Sequence, residues 1–252
     1  MRTAQTLVAI VIPIYKAHPE DEELHALAQC FKILKKHEII FVGPDGLNTM
    51  IYSNLAKENN IRFRFLSFAC KYFDDLSGYN QLMLSPHFYE TFLSYKFILI
   101  YQLDAFVFSD ELEYWCNQNY DFIGAPQLLH ANQKGEMQFL KTYSRIAKIF
   151  NHTVRNVGNG GFSLRKTHSC YLLVKHLRKQ VERWNKNNED GFFKYWGNIL
   201  YPIFRLPKDE TAMKFSIEMA PSTSVAKLNG KLPFGCHAYQ KYDWHFWEPF
   251  IR

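Results

Sequence analysis

The sequence predicts an α/β fold in which a mostly parallel β-sheet is flanked by helices. Apolar runs rich in Val, Ile and Phe alternate with segments of helical periodicity, as expected for parallel strands joined by crossover helices. Hydrophobic residues make up 47% of the 252 residues and charged residues 21%, an ordinary globular composition. This length suits one α/β domain, and we expect residues 1–252 to form a single unit.

The alternation is clearest near the N-terminus. Residues 7–15 form a β-branched apolar run and are predicted to be a strand. Residues 18–36 follow with acidic side chains at the start and apolar positions at helical spacing, which indicates a helix. Residues 37–44 and 62–68 are two further predicted strands, with a short helix at residues 51–60 between them.

The middle of the chain continues this alternation. Residues 77–95 are predicted to be helical with an interruption near Pro86, because proline removes a backbone donor. Residues 96–108 form two apolar strands separated by a polar break, and a short helix at 110–118 precedes a strand at 121–126. A polar residue at such a break lies where the predicted sheet ends.

The C-terminal part is less regular. Residues 127–151 are polar, and we predict a loop or lid. Residues 154–166 carry clustered glycines, which indicate a tight turn beside a ligand or a neighbouring strand. A helix capped by Thr167 is predicted over 167–184, and the tail at 233–250 is rich in aromatic residues and His.

Charge and cysteine usage limit the possible partners and compartment. The net charge of +6 suits phosphate-bearing ligands, nucleic acid or an anionic membrane, and selects none of them. The basic run at residues 175–183 is either a solvated helix face or a membrane contact. Five scattered cysteines argue against disulfides or structural zinc, and no signal peptide is recognisable, so we expect a cytoplasmic protein.

One acidic residue occupies the polar break between two predicted strands. Ligands of open α/β sheets bind beyond the carboxyl ends of the strands, and Asp104 directly follows such a strand. A carboxylate there can hold Mg²⁺ or Mn²⁺, which prefer oxygen ligands, or it can serve as a turn residue. The residue pattern leaves both roles open.

The glycine-rich segment at residues 158–161 excludes some familiar chemistries. It lacks the P-loop pattern and the Gly-x-Gly-x-x-Gly fingerprint, so P-loop phosphoryl transfer and NAD chemistry lose support. The sequence also has no Gly-x-Ser-x-Gly elbow and no His-Glu-x-x-His motif, so it offers no motif that supports a hydrolase function. The glycines either form a wall beside a polar substrate or permit close strand packing.

Three further side chains are candidates for chemistry. Glu189 and Asp190 are adjacent at a predicted helix start, where either acid could cap the helix or act as a general base. His237 lies among small and aromatic residues and is either a metal ligand or a buried, hydrogen-bonded histidine.

Five blocks of sequence, taken in order, resemble a bacterial family of predicted glycosyltransferases first catalogued as a domain of unknown function. These blocks span residues 77–108, 120–126, 157–166, 188–193 and 233–243. Their order is similar to that of GT-A enzymes, in which an Asp-x-Asp element ends a central strand. The resemblance implies a single GT-A-like, Rossmann-related domain, with a nucleotide-sugar-binding half and an acceptor-binding half. These halves correspond to residues 1–108 and 109–252.

The same resemblance implies an activity and its partners. We expect transfer of a sugar from a nucleotide-diphosphate sugar to a hydroxyl of a glycan or lipid-linked acceptor, in bacterial surface polysaccharide synthesis. Mn²⁺ or Mg²⁺ is the implied cofactor, held by Asp104 and His237. Peripheral contact with the inner membrane is possible in this setting, and no nucleic acid partner is expected.

The resemblance also assigns residues to roles. Asp190 becomes the base of an inverting reaction, and Glu189 orients acceptor or sugar hydroxyls. Gln102 stands where many GT-A enzymes have the first acid, so it can only hydrogen-bond the ribose or sugar. The nucleotide is expected near Pro13 and Tyr15, with the Tyr15 ring stacking on the base. The substrate wall comprises Asn159, Gly160, Gly161 and Phe162.

Two other functions are consistent with parts of the sequence. A nucleotidyltransferase would form a sugar nucleotide on a similar sheet, but the chain lacks a glycine-rich, lysine-bearing loop near the first strand. A non-catalytic carbohydrate-binding protein would use the aromatic tail around Trp244 and Trp247.

Overall fold

The computed structural model describes residues 5–127, 154–184 and 188–251, and it confirms the mixed α/β fold. The strands are β1 (Thr6–Pro13), β2 (Glu38–Pro44), β3 (Phe63–Phe68), β4 (Tyr95–Tyr101), β5 (Ala105–Val107), β6 (Phe122–Ile123), β7 (Phe162–Lys166), β8 (Ser216–Ile217) and β9 (Gly235–His237). The main sheet has the order β3-β2-β1-β4-β7-β6, and β5-β9-β8 form a small second sheet. In the main sheet β1 to β4 are parallel, and β7 is antiparallel to both of its neighbours.

Helices cover both faces of the main sheet. They are α1 (Asp21–Leu34), α2 (Met50–Glu58), α3 (Leu76–Met83), α4 (Pro86–Thr91), α5 (Leu112–Asn117), α6 (Thr167–His176), α7 (Arg178–Trp184), α8 (Glu189–Ile199), α9 (Asp209–Phe215), α10 (Pro221–Lys227) and α11 (Trp244–Ile251). Because β1 is buried on both faces, Ile10 and Ile12 join one apolar core while Ala9 and Val11 join the other. This double burial explains the continuous apolar run.

The sheet topology brings distant parts of the chain to one edge. Since β1 and β4 are parallel, Pro13 and Tyr101 end at the same edge. β7 runs the opposite way and starts there, with Phe162 paired to Tyr101. β5 pairs with β9 so that Ala105 lies opposite His237. Residues near positions 13, 104, 160 and 237 therefore meet.

Several local predictions need correction. Lys166 is the N-cap of α6 and makes no side-chain cap bond, whereas Thr167 is the first helical residue. The predicted helix at 167–184 is divided at Leu177 into α6 and α7. Strands β8 and β9 have only two and three residues, too few for a period-2 pattern to show.

The aromatic tail forms a helix and part of the core. Trp247 lies in α11, is fully buried and stacks on Phe108, with ring centroids 5.6 Å apart. Its ring is therefore unavailable to an external glycan. A carbohydrate-binding function could thus not use Trp247, one of the two tryptophans on which that alternative depended.

Two other predictions concern loops and membranes. The predicted loop or lid at 127–151 lies outside the described residues, apart from Gln127. Within the described ranges, each helix is too short or too polar to cross a bilayer.

Candidate functional site

The central feature of the site is a contact between Asp104 and His237. Asp104 follows β4, and its Oδ1 lies 3.0 Å from His237 Nε2. The Asp104 carbonyl also accepts a hydrogen bond from the Ala238 backbone N–H at 2.9 Å, which ties the strand end to β9. The Asp104 side chain is 49% exposed and that of His237 is 11% exposed. The carboxylate is thus positioned by the fold and remains accessible to a ligand.

The two groups alter each other's protonation. Burial lowers the pKa of the His237 imidazole, but Asp104 and Glu218 raise it to about 10. Partial burial raises the pKa of Asp104, yet the charge and hydrogen bond of His237 outweigh this and bring the pKa below its usual value. Without a ligand, the pair is therefore a carboxylate and an imidazolium.

Three other polar side chains surround His237. The Gln102 amide oxygen lies 3.1 Å from Nε2, on the same side as Asp104. Asn159 Nδ2 and Glu218 Oε1 lie 3.0 and 3.3 Å from Nδ1. The imidazole is held from both ring nitrogens, as is usual for a histidine that must present one nitrogen to a metal.

The glycine-rich segment at residues 158–161 packs directly against these groups. A Cβ on Gly161 would lie 1.9 Å from His237 Nε2 and 2.5 Å from Gln102 Oε1. A Cβ on Gly160 would lie 2.0 Å from Glu189 Oε1. A side chain at either glycine would require the neighbouring His237, Gln102 or Glu189 side chain to move.

The rest of the predicted wall divides into a polar and an apolar part. The Asn159 Oδ1 accepts hydrogen bonds from the backbone N–H groups of Gly161 and Phe162, at 3.0 and 3.1 Å. The Phe162 ring is buried and packs on Tyr101, Phe215 and Phe234. Phe162 therefore contributes its backbone to this region, and its ring is part of the core.

A cleft of about 370 Å³ opens beside Asp104. Its lining residues are Pro13, Tyr15, Glu23, Tyr72, Phe73, Asp74, Asp75, Leu76, Tyr79, Gln102, Leu103 and Asp104. The structure thus places the predicted nucleotide-binding residues Pro13, Tyr15 and Gln102 in one cleft. Its lining, as far as the structure describes it, contains four carboxylates and no Lys, Arg or His.

The acidic pair lies at the start of α8, as predicted, but its two members have different surroundings. The Glu189 carboxylate is 4% exposed and binds the fully buried Arg165 through Oε1 at 2.8 Å. Asp190 Oδ2 accepts a hydrogen bond from Gln127 Nε2 at 3.1 Å, and Oδ1 from the Gly191 backbone N–H at 2.7 Å. Lys194 in turn donates to Gln127.

The residues present fit a divalent cation in an open site. In the described residues, no group of three or more His, Cys, Asp or Glu side chains surrounds a common point. Asp104 and His237 would therefore supply two ligands, with Gln102 Oε1 adjacent. Mg²⁺ is commonly bound by one or two carboxylates together with substrate phosphates and water, and Asp104 supplies such a carboxylate.

Sequence reasoning missed three polar residues of this region. Tyr79 lines the cleft, Arg165 binds Glu189, and Glu218 contacts His237. Tyr79 and Arg165 lie within blocks that the family resemblance covers, but their spacing carries no chemical pattern. Glu218 follows the two-residue strand β8, which has no recognisable sequence signal.

The fold corresponds to that of solved glycosyltransferases. Mouse xyloside xylosyltransferase 1, in its apo form, is 11% identical with a TM-score of 0.54, over 91% of this chain and 96% of that chain. The galactosyltransferase LgtC, in complex with donor and acceptor sugar analogues, is 14% identical with a TM-score of 0.51, over 91% and 86%. Core-mannan synthase A from Aspergillus fumigatus, in a Mn/GDP form, is 9% identical with a TM-score of 0.50, over 76% and 69%. The chain therefore has the GT-A glycosyltransferase fold.

The family of the chain follows from its sequence. A family model described as "Protein of unknown function (DUF5672)" matches residues 62–237, which is more than half of the chain, so the protein belongs to this family. No curated protein matches the sequence.

Proposed function

We propose that this protein is a metal-dependent glycosyltransferase that uses a nucleoside-diphosphate sugar. The observation that carries the proposal is the Asp104–His237 pair beside an acidic cleft at the carboxyl edge of a GT-A sheet. Ligands of open α/β sheets bind at this edge. The solved structure of a similar fold with Mn and GDP, and another with sugar analogues, is consistent with such a donor.

The charge of the cleft supports metal dependence. A diphosphate is an anion, and the described lining of the cleft carries four carboxylates, of which Glu23 pairs with Lys16 and Asp104 with His237. Like charges in a partly desolvated cleft repel one another. Asp104 and His237 would hold a divalent cation, which would offset this repulsion and supply positive charge for the departing diphosphate.

The donor is proposed to lie along the cleft from Tyr15 to Asp104. The Tyr15 ring is 57% exposed, which leaves it free to stack on a nucleobase, with Pro13 beside it. Gln102 then faces the ribose or the sugar. In this arrangement residues 1–108 bind the nucleotide sugar, and residues 109–252 supply His237, the glycine wall and the acceptor side.

Asp190 is proposed as the general base. The acceptor hydroxyl attacks the anomeric carbon while the bond from that carbon to the phosphate oxygen breaks. The hydroxyl proton passes to the Asp190 carboxylate, and the bonding electron pair leaves with the nucleoside diphosphate. A single displacement of this kind inverts the anomeric configuration. Proton NMR showing a retained configuration in the product would remove Asp190 from this role.

The acceptor is proposed to be a hydroxyl of a glycan or a lipid-linked glycan, with bacterial surface polysaccharide synthesis as the setting. The basic segment at 175–183 lies on α6 and α7, and Arg178 and Glu182 on it form an exposed ion pair at 3.3 Å. Contact with an anionic membrane surface and a cytoplasmic location are predictions that accompany this setting.

A thermal-shift screen tests the proposal directly. Purified protein is heated with UDP, GDP, CDP and ADP and with their common sugar conjugates, each with Mn²⁺ and with EDTA. We expect one nucleotide series to raise the melting temperature in Mn²⁺ and to lose that effect in EDTA. If none of the nucleotides stabilises the protein in Mn²⁺, the proposal is wrong.

A product assay then separates transfer from sugar-nucleotide synthesis. A glycosyltransferase releases the diphosphate from the stabilising nucleotide sugar, slowly to water and faster with an acceptor. A nucleotidyltransferase would instead join a nucleoside triphosphate to a sugar 1-phosphate and release pyrophosphate. Pyrophosphate formation without diphosphate release would contradict the proposed reaction.

A further inference from the structure

Two buried oxygen atoms near the cleft lack hydrogen-bond partners in the part of the chain that the structure describes. They are the Tyr79 hydroxyl and Glu189 Oε2. A buried polar group without a partner costs free energy, so each such group in a native protein calls for an explanation. A ligand hydroxyl that donates to Glu189 Oε2 and accepts from the Tyr79 hydroxyl would satisfy both atoms.

The two atoms belong to neighbouring elements. Asn80, next to Tyr79 on α3, accepts a hydrogen bond from the Glu189 backbone N–H at 3.2 Å. Burial raises the pKa of the Tyr79 phenol, and the nearby Glu189 carboxylate raises it further. Tyr79 also lines the cleft together with Gln102 and Asp104. Tyr79 thus lies near both Asp104, the proposed metal ligand, and Glu189.

Gln102 does not satisfy the Tyr79 hydroxyl. Its amide lies close enough to lower the pKa of Tyr79, but the Tyr79 hydroxyl forms no hydrogen bond with it in the described structure. The Gln102 amide oxygen is directed at His237 Nε2 instead, at 3.1 Å. The Tyr79 hydroxyl is therefore a buried group without a hydrogen-bond partner among the described residues.

Arg165 fixes the position of Glu189. Its Nη2 donates to Glu189 Oε1 at 2.8 Å, and its Nη1 donates to the Tyr89 hydroxyl at 2.8 Å. Its Nε donates to Ser163 Oγ at 3.0 Å, so the guanidinium is held on several sides. Gly160 leaves room for the carboxylate, because a Cβ there would lie 2.0 Å from Oε1. Glu189 Oε1 thus accepts a hydrogen bond from Arg165, while Oε2 has no donor among the described residues.

We infer that Tyr79 and Glu189 form a subsite for one hydroxyl group of the transferred sugar, and this inference rests on the proposed glycosyltransferase function. The sugar hydroxyl donates to Glu189 Oε2 and accepts from the Tyr79 hydroxyl. Arg165 acts as a positioning residue that holds Glu189 for this contact. Donors that carry a free hydroxyl at this position are selected over deoxy analogues, which leave both buried oxygens unpaired.

A comparison of nucleotide-sugar and nucleotide binding tests the subsite. Isothermal titration in Mn²⁺ measures the Kd of UDP-glucose, UDP-galactose and GDP-mannose, together with UDP and GDP, for the wild type and for Tyr79→Phe. We expect Tyr79→Phe to raise the Kd of the best-bound nucleotide sugar about 10-fold, as for loss of one hydrogen bond to a ligand. The Kd of the matching free diphosphate should change less than about twofold, because the diphosphate does not reach the subsite.

A matched variant controls for the chemical change. Tyr95→Phe also removes a hydroxyl from a buried tyrosine, but Tyr95 starts β4 at the opposite end of the strand from Gln102. We expect it to leave both Kd values unchanged. Tyr79→Phe should melt at the wild-type temperature or higher, since it removes a buried hydroxyl that has no partner. A lower melting temperature would show that the hydroxyl is bonded in the free protein, which contradicts the inference.

The possible failures can be told apart. If wild-type protein binds the diphosphate and the nucleotide sugar but Tyr79→Phe changes neither Kd, the subsite is wrong and the proposed function stands. Equal weakening of both ligands would place Tyr79 at the nucleotide, which also overturns the subsite. If the wild type binds no nucleotide in Mn²⁺, the proposed function fails and the subsite fails with it.

Discussion

Two ion pairs border the glycine-rich segment, and each occupies the space beside one glycine. The Asp104–His237 pair meets Gly161, with a contact of 3.0 Å and an Asp104 side chain that is 49% exposed. The Arg165–Glu189 pair meets Gly160, with a contact of 2.8 Å and side chains that are 0% and 4% exposed. The contact distances are similar, but the exposure to solvent is not.

The difference in exposure indicates different roles for the two pairs. Asp104 of the first pair is accessible to a ligand, whereas the Arg165–Glu189 pair is buried and supports the surrounding structure. Asp104 keeps a carboxylate accessible in the cleft, where it could bind a cation together with His237. Arg165 is surrounded by protein acceptors, and removing it would leave the Glu189 charge buried without a partner. Buried pairs are costly to break for this reason, whereas exposed pairs contribute little to stability. The comparison predicts a different kind of damage at each pair.

The largest effect on stability is expected at the buried pair. Arg165→Met should lower the free energy of unfolding by about 3–5 kcal/mol, because the buried Glu189 carboxylate loses the guanidinium that pairs with it. Urea denaturation measures this change. The double variant Arg165→Met, Glu189→Met should recover most of the loss, since replacing both charges with apolar groups of similar size is often neutral. A loss below about 1 kcal/mol in the single variant would contradict the conclusion that the buried Arg165–Glu189 pair supports the fold.

At the exposed pair, we expect a large loss of metal binding with little loss of stability. Asp104→Asn should change the free energy of unfolding by less than about 1 kcal/mol. Its affinity for Mn²⁺ in the presence of nucleotide should fall by more than the roughly 10–100-fold that loss of an outer-shell partner costs. Electron paramagnetic resonance titration of free Mn²⁺ measures it.

A matched aspartate provides the control for this prediction. Asp110→Asn makes the same change at a surface ion pair with Lys36, 3.1 Å away and outside the site. It should leave Mn²⁺ affinity unchanged. Undiminished Mn²⁺ binding by Asp104→Asn would show that Asp104 is a turn residue and not a ligand.

The two glycines allow the pairs to be perturbed one at a time. Gly161→Ala places a Cβ against His237 and Gln102, and we expect about 10-fold weaker Mn²⁺ binding. Gly160→Ala displaces Glu189 instead and should chiefly lower the melting temperature. Gly158→Ala is the control, because its nearest neighbours lie at an ordinary 3.6 Å. Identical effects of Gly160→Ala and Gly161→Ala on Mn²⁺ binding would mean that the two pairs do not act separately.

The smallest effect is expected at Glu218, which lies 3.3 Å from His237 Nδ1 on the side away from Asp104. Glu218→Gln keeps the size of the side chain but removes its charge. We expect about 10-fold weaker Mn²⁺ binding, as for other carboxylates that orient a ligating histidine. The same Mn²⁺ titration measures it, and an unchanged affinity would assign the orientation of His237 to Asn159 alone.

The main sheet was predictable because its signals are local. β1 and β4 are buried on both faces, so their sequences are continuous apolar runs that can be recognised without knowing their neighbours. Asp104 was recognised for the same reason, since it directly follows such a run. The small sheet was not predictable, because β8 and β9 are two and three residues long and exist through pairing with each other and with β5.

The roles of the individual acids show the limit of local reasoning. Glu189 and Asp190 are adjacent in sequence, and nothing in the sequence distinguishes their surroundings. In the structure Glu189 accepts a hydrogen bond from Arg165, 24 positions away along the chain. Asp190 accepts one from Gln127, 63 positions away. Arg165 itself lies in a short strand and carries no pattern that marks it as fully buried.

By itself, the sequence determined the α/β class, the succession of the first strands along the chain and the presence of an acid where a central strand ends. These features are local, because the pattern of apolar and polar residues that marks a strand or a helix lies within a short segment. The tertiary structure alone decided that His237 meets Asp104 and that Gly160 and Gly161 pack against Glu189 and His237. It also decided that, among the described residues, one oxygen each of Tyr79 and Glu189 has no partner. These features depend on contacts between residues far apart in the chain, and side-chain packing fixes them only when the sheet has formed.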